Sequence, residues 1–185
     1  MIWESCYWKD PLLEMADCLV ELIRKEEWTE EDGAQFERDI FIGFYSVRKL
    51  FEAPAKVSDE TRALKLNLFW YPKKPEAGLV DWYNRGDFWE LYDLDERHGE
   101  ERDPLFLAHR LVHSFIFTPS AAFENNPDGV FFTSDTDKEQ KIYFVELSEI
   151  VRLFREVGED YPDIETHRDP VTGEMKVRAF RPVVG

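Results

Sequence analysis

The chain has 185 residues, 43% hydrophobic and 15% aromatic, enough to bury a core and to exclude wholesale disorder. Lysine and arginine total 23 against 39 acids, a formal charge of -16, which disfavours direct binding to nucleic-acid phosphates and favours a partner with a basic surface. Cys6 and Cys18, the only cysteines, have neither a zinc-finger spacing nor a disulfide framework, so a reducing cytoplasmic compartment is expected.

The first segment, "KDPLLEMADCLVELIRKEEW", reads as an amphipathic helix with Asp10 as N-cap and Pro11 at its first position. Leu12, Met15, Ala16, Leu19, Leu22 and Ile23 recur at steps of three and four. Glu14, Asp17 and Glu21 interrupt that run, so neither a signal peptide nor a membrane span is expected there. A second helix starts at the cap Thr29, with Glu30, Glu31 and Asp32 on the positive end of its dipole. Its stripe is Phe36, Ile40, Phe44, Val47 and Phe51, and Pro54 stops it. The short link pairs the two helices across residues 1–54.

From residue 62 to 185 the pattern becomes mixed strand and helix. In "RALKLNLFWYP", Leu64, Leu66, Leu68 and Trp70 alternate with Lys65, Asn67 and Phe69, the period of a half-buried strand. "LVDWYNRGDFWELYDLDERHGEERD" fits neither period and reads as a short helix or an irregular segment. Asp103 and Pro104 open a helix to about Val112, followed by a strand in "HSFIFTPS". "GVFFTS" and "KIYFVEL" read as antiparallel strands joined by "DTDKEQ", and Ser148 as the cap of "EIVRLFREVG", ended by Gly158. "IETHRDPVTGEMKVRAF" reads as a hairpin turning at Asp169, Pro170 and Gly173. The order predicts a single α+β domain, an N-terminal helical pair packed on a mainly antiparallel sheet with additional helices.

Few residues look like chemistry. His109 and His113 lie four apart, a spacing that lets two imidazoles share a metal, and His98 precedes them closely. A metal-dependent hydrolase using His98, His109 and His113 is therefore one reading. Arg110, however, occupies the position where a glutamate base belongs, and Leu105, Phe106 and Val112 bracket the pair, which points to two packed core histidines. Asp135, Asp137, Glu139 and Glu146 carry part of an EF-hand spacing, but Gln140 stands where glycine is needed, so a solvated hairpin loop is expected. There is no G-x-S-x-G elbow and no glycine-rich phosphate loop, and acids around the cysteines oppose a reactive thiolate.

The densest aromatic run, Phe69 to Tyr92, lies in the least acidic third: residues 61–120 carry eight bases against ten acids. Many of these rings belong in a core, but tryptophan and tyrosine also suit interfaces, so Trp70, Trp82, Tyr83 and Trp89, with Asp93 and Asp95, are the candidate binding residues. Size and charge together suggest a non-enzymatic protein-binding module, akin to the acidic immunity or inhibitor proteins of bacteria that neutralise basic partners, with no cofactor. A nucleic-acid mimic filling a basic cleft is a third reading.

Overall fold

A computed structural model of the chain describes residues 2–120 and 128–182. Helix α1 runs Cys6–Ile23 and buries Lys9, Leu12, Ala16, Leu19 and Leu22 on one face. It begins a turn earlier than the capping signal predicts, because the buried series already starts at Lys9 and needs that turn. Asp10 is therefore helical rather than a cap, and Pro11 falls inside the helix, where near the N-terminus it forfeits only the bond to the Tyr7 carbonyl. Helix α2, Glu30–Glu52, starts as expected: Thr29 Oγ1 accepts from the Asp32 amide at 3.2 Å while Asp32 Oδ2 accepts from the Thr29 amide at 2.9 Å. Its predicted stripe is buried throughout, and Ala53 turns extended ahead of Pro54.

A short helix α3 (Asp59–Arg62) leads into β1 (Leu66–Pro72). After a long connection containing a 3-10 turn (Arg85–Asp87) and α4 (Phe88–Leu91) comes β2, His98–Arg102. Then follow α5 (Pro104–Val112), β3 (Ser114–Pro119), β4 (Gly129–Ser134), β5 (Lys141–Glu146), α6 (Leu147–Gly158), and a hairpin of β6 (Asp163–Arg168) and β7 (Met175–Phe180). Asp103 caps α5, its Oδ1 accepting from the Phe106 amide at 2.8 Å. Ser148 caps nothing, because α6 starts at Leu147 with Glu146 at the cap position. Gly158 is the last helical residue for a packing reason: a Cβ there would come within 2.6 Å of Leu13.

Five strands form one antiparallel sheet in the order β2-β1-β5-β4-β3. Helices α1, α2, α5 and α6 cover one face, where Leu66, Leu68, Val130, Phe132, Tyr143 and Val145 meet Phe36, Ile40, Phe44, Leu107, Leu111, Ile150 and Phe154. The fold is α+β, with the N-terminal helices on the sheet as expected. The other face is not left to solvent. Tyr71, Ile116, Ile142 and Phe144 form a second core there with Val80, Phe88, Leu91 and Tyr92 of the β1–β2 connection. This explains the hybrid alternation of β1, whose Leu66 and Leu68 face the helices while Phe69 and Tyr71 face the connection. Among the described residues, no helix is long and apolar enough to cross a membrane.

Candidate functional site

The aromatic run divides by face and by depth. Phe88 and Tyr92 are fully buried in the second core, and Tyr71 nearly so. The Tyr92 hydroxyl donates to the Lys138 carbonyl at 2.6 Å, and burial first, then the Glu139 charge, raises its pKa. Between the buried pins Val80 and Phe88, the chain bulges into water. Trp82 and Tyr83 are 67% and 93% exposed, with Leu79 beside them at 77% and Trp89 just beyond at 40%.

The backbone under these rings is fixed. Asp81 Oδ1 accepts from the amides of Tyr83 (2.8 Å) and Asn84 (3.2 Å), Asn84 Oδ1 accepts from the Asp81 amide (2.9 Å), and Asn84 Nδ2 donates to the Leu79 carbonyl (2.8 Å). The Arg85 guanidinium stacks 3.4 Å from the centre of the Trp82 ring and also reaches Phe115 of β3 at 5.9 Å. The Val80 amide donates to Glu139 Oε1 at 2.9 Å, and Lys73 holds Glu139 Oε2 at 2.7 Å, so the loop before the turn is stapled to the β4–β5 hairpin. The Lys73 hydrogen bond, then that of Val80, holds the Glu139 carboxyl below its usual range. Alongside lies an open groove of about 340 Å³, walled by Glu37 and Phe41 of α2, by Arg85 and Gly86, and floored by β3.

The remaining candidates sit elsewhere. Trp70 belongs to the helix side of the sheet, stacked on the cross-strand His98 at 4.1 Å with Lys141 Nζ 4.8 Å from its ring, so it does not join the turn. Asp93 and Asp95 close the turn before β2: the Asp93 amide donates to the Pro72 carbonyl at 2.9 Å, and its Oδ1 accepts from the Asp95 amide at 3.1 Å. His98 bonds Glu96 at 2.9 Å. His109 and His113 are exposed rather than packed in the core, beside Arg48, Arg110 and Asp135. The buried stripe of α5 is Pro104, Leu107, Ala108 and Leu111, which turns His109 outward, and His113 stands past the helix end. Among the described residues, no group of three or more His, Cys, Asp or Glu is disposed to hold a metal ion.

The 135–140 loop is a hairpin loop, and its carboxylates face different partners. Asp135 meets Lys138 at 2.9 Å, Asp137 meets Arg110 and Ser134, and Glu139 serves the connection. Burial, with Asp39, Glu21, Asp17 and Glu14 nearby, raises the Cys18 thiol pKa, which opposes nucleophilic use. Leu79 and Arg85 complete the turn and stand outside the candidate binding residues read from the sequence. The signal for them was the Asp-x-x-Asn spacing of "DWYN", which favours a side-chain-bonded turn with Trp82 and Tyr83 at its tip. No known protein family, curated protein or solved structure matches the chain.

Proposed function

We propose that this chain is a non-enzymatic protein-binding module of the bacterial inhibitor or immunity kind, which docks a cytoplasmic partner with a basic surface through the turn over residues 79–89. The observation that carries the reading is the adjacent pair Trp82 and Tyr83, 67% and 93% exposed on a backbone locked by four side-chain hydrogen bonds. Exposed aromatic rings are costly in water, and a fixed backbone spares the entropy otherwise lost when a loop orders on binding. Burying both rings contributes on the order of 5 kcal/mol before association costs. The excess of 39 acids over 23 bases supplies long-range attraction to a basic partner and acts mainly on the association rate.

The test is affinity capture from the cytosol of the source cell with three baits: the unaltered chain, Trp82→Ala/Tyr83→Ala, and Trp3→Ala as a control on another exposed ring. The unaltered and Trp3→Ala baits are expected to retain a protein with a basic surface that binds the double variant at least about 100-fold more weakly. Equal retention by all three baits, or none by any, overturns the reading. Added duplex DNA separates mimicry from ordinary docking, since a partner displaced by DNA is held through its own nucleic-acid cleft.

A further inference from the structure

The β6–β7 hairpin leaves the body almost bare. All six residues of β6 and the first four of β7 are exposed, including Ile164 (55%), Met175 (54%) and Val177 (48%), with Val171 at the tip. A lone two-stranded ribbon is marginal in water. This one is nonetheless held at both ends. At the base Ala179 is buried, and Arg181 bonds Glu156, Thr61 Oγ1 (3.1 Å) and, through its amide, Glu60 (3.3 Å). At the tip Asp169 Oδ1 accepts from the amides of Val171 (2.9 Å) and Thr172 (3.1 Å), and Gly173 takes the positive φ of 74° that the turn requires.

The register gives the ribbon two unlike faces. Ile164, Thr166 and Arg168 stand opposite Ala179, Val177 and Met175, making one face mostly apolar. Asp163, Glu165 and His167 oppose Phe180, Arg178 and Lys176 on the other. The Asp169 amide donates inward to the Glu174 carbonyl at 2.8 Å, and inward and outward pairs alternate along an antiparallel ladder. The amides and carbonyls of Ile164, Thr166 and Arg168 therefore point away from β7, and among the described residues no strand lies beyond β6.

We propose that this open edge of β6 accepts an extended strand of a protein partner, with lysine or arginine alternating with apolar residues. Charge selects the edge and the occupant. Asp163 and Glu165 lie exposed at the base end of β6, their carboxylates in no ion pair or hydrogen bond among the described residues. Glu165 stands across the ladder from Arg178 and Arg168 lies at the tip end, so bases are received at the base end. The outer edge of β7 presents Lys176 and Arg178 and repels the same strand. Between two copies of the chain, β7 on β7 sets Lys176 and Arg178 near like charges, and β6 on β6 centred on Glu165 does the same for that residue. Centred on Thr166 it sets Glu165 opposite His167, so a basic strand, which meets Asp163 and Glu165 together, is the better-matched occupant. The -16 charge of the whole chain disfavours an acidic strand at β7. A basic strand at β6 satisfies the outward backbone groups, neutralises the two carboxylates and widens the apolar face around Ile164 and Val177. This site is separate from the aromatic turn and does not depend on it.

A synthetic peptide alternating Lys or Arg with Val tests the site against an acidic alternating peptide and a basic Gly/Ser peptide of equal charge. Binding is read by fluorescence anisotropy and by amide exchange on the full chain. Only the alternating basic peptide is expected to slow exchange at Ile164, Thr166 and Arg168. Thr166→Pro, which deletes an outward amide without taking a bond from the hairpin, is expected to weaken it at least tenfold. Asp163→Asn/Glu165→Gln, which leaves the backbone unchanged, is expected to weaken it comparably at low salt. Equal binding of the Gly/Ser peptide, protection on β7 instead, self-association through the hairpin, or no binding by any peptide each overturns the proposal.

Discussion

Lys9 occupies a place where few lysines survive. It is fully buried in α1, its Nζ donates to the Asp160 carbonyl, and it stands 4.4 Å from the centre of the Tyr161 ring. The Asp160 carboxylate is turned elsewhere, accepting at Oδ2 from the Ser58 amide (2.6 Å) and hydroxyl (3.0 Å), while Oδ1 has no hydrogen-bond partner among the described residues. Burial pulls the Lys9 pKa down to about 8, with Asp160 pushing back and Lys56 adding to the fall. The folded value lies below the unfolded one of 10.5, so between the two the unfolded chain holds more protons and stability rises with pH. Below about pH 8 both states are charged and the fold bears the whole burial penalty; above about 10.5 it is gone. The gain across that window is at most about 3 kcal/mol. Urea unfolding of the native chain is expected to show this rise relative to Lys9→Met, and parallel pH profiles for the two proteins would refute the assignment. The position was legible in the sequence: Lys9, Leu12, Ala16 and Leu19 share one helical spacing, and only the residue type hid Lys9 from a search for apolar stripes.

Among the elements, spacing served best where an element buries one face. The stripe of α2, the cap of α5 and the β4–β5 hairpin all stand where periodicity and capping chemistry put them. β2 escaped because "HGEER" has no apolar period; it is a short charged edge strand held by backbone pairing to Leu66–Trp70. The candidate site divided in the same way. Trp82, Tyr83 and Trp89 came from composition; the Asp-x-x-Asn turn marks the first two as its tip, but nothing in the local pattern distinguishes Trp89 from the buried Phe88 and Tyr92, whose depth depends on a sheet face assembled from distant strands. Helix α2 offers a test of propensity against packing. Gly33 has open space around a would-be Cβ, so Gly33→Ala is expected to stabilise the chain by about 1 kcal/mol. A Cβ on Gly43 would fall 2.2 Å from Phe154 Cζ, where α2 crosses α6. Gly43→Ala is expected to destabilise by about 1–3 kcal/mol despite its better helix propensity. Thermal unfolding of both variants decides it, and an upward shift in both would show that propensity alone governs the helix.

At the scale of the whole molecule, the sheet is sandwiched between helices and an irregular aromatic connection, so the charge lies on the outside of both layers. Most ion pairs there are partly exposed, such as Arg155 with Asp17 at 2.9 Å and Lys25 with Asp32 at 2.6 Å. Pairs of this kind contribute about 0–1 kcal/mol each, and salt weakens them. Salt also screens the sixteen uncompensated negative charges, whose mutual repulsion works against the compact state. The two effects oppose each other, and the repulsion wins because 39 acids stand against only 23 bases. Raising sodium chloride from about 10 mM to about 150 mM, which shortens the screening length from about 30 Å to about 8 Å, is therefore expected to raise Tm at pH 7. Near pH 4.7, where the net charge vanishes, the same addition is expected to leave Tm level or lower it, because only the attractive pairs remain to be screened. A Tm that falls with salt at pH 7 would mean that the paired charges, and not the excess, set the electrostatic balance of the fold.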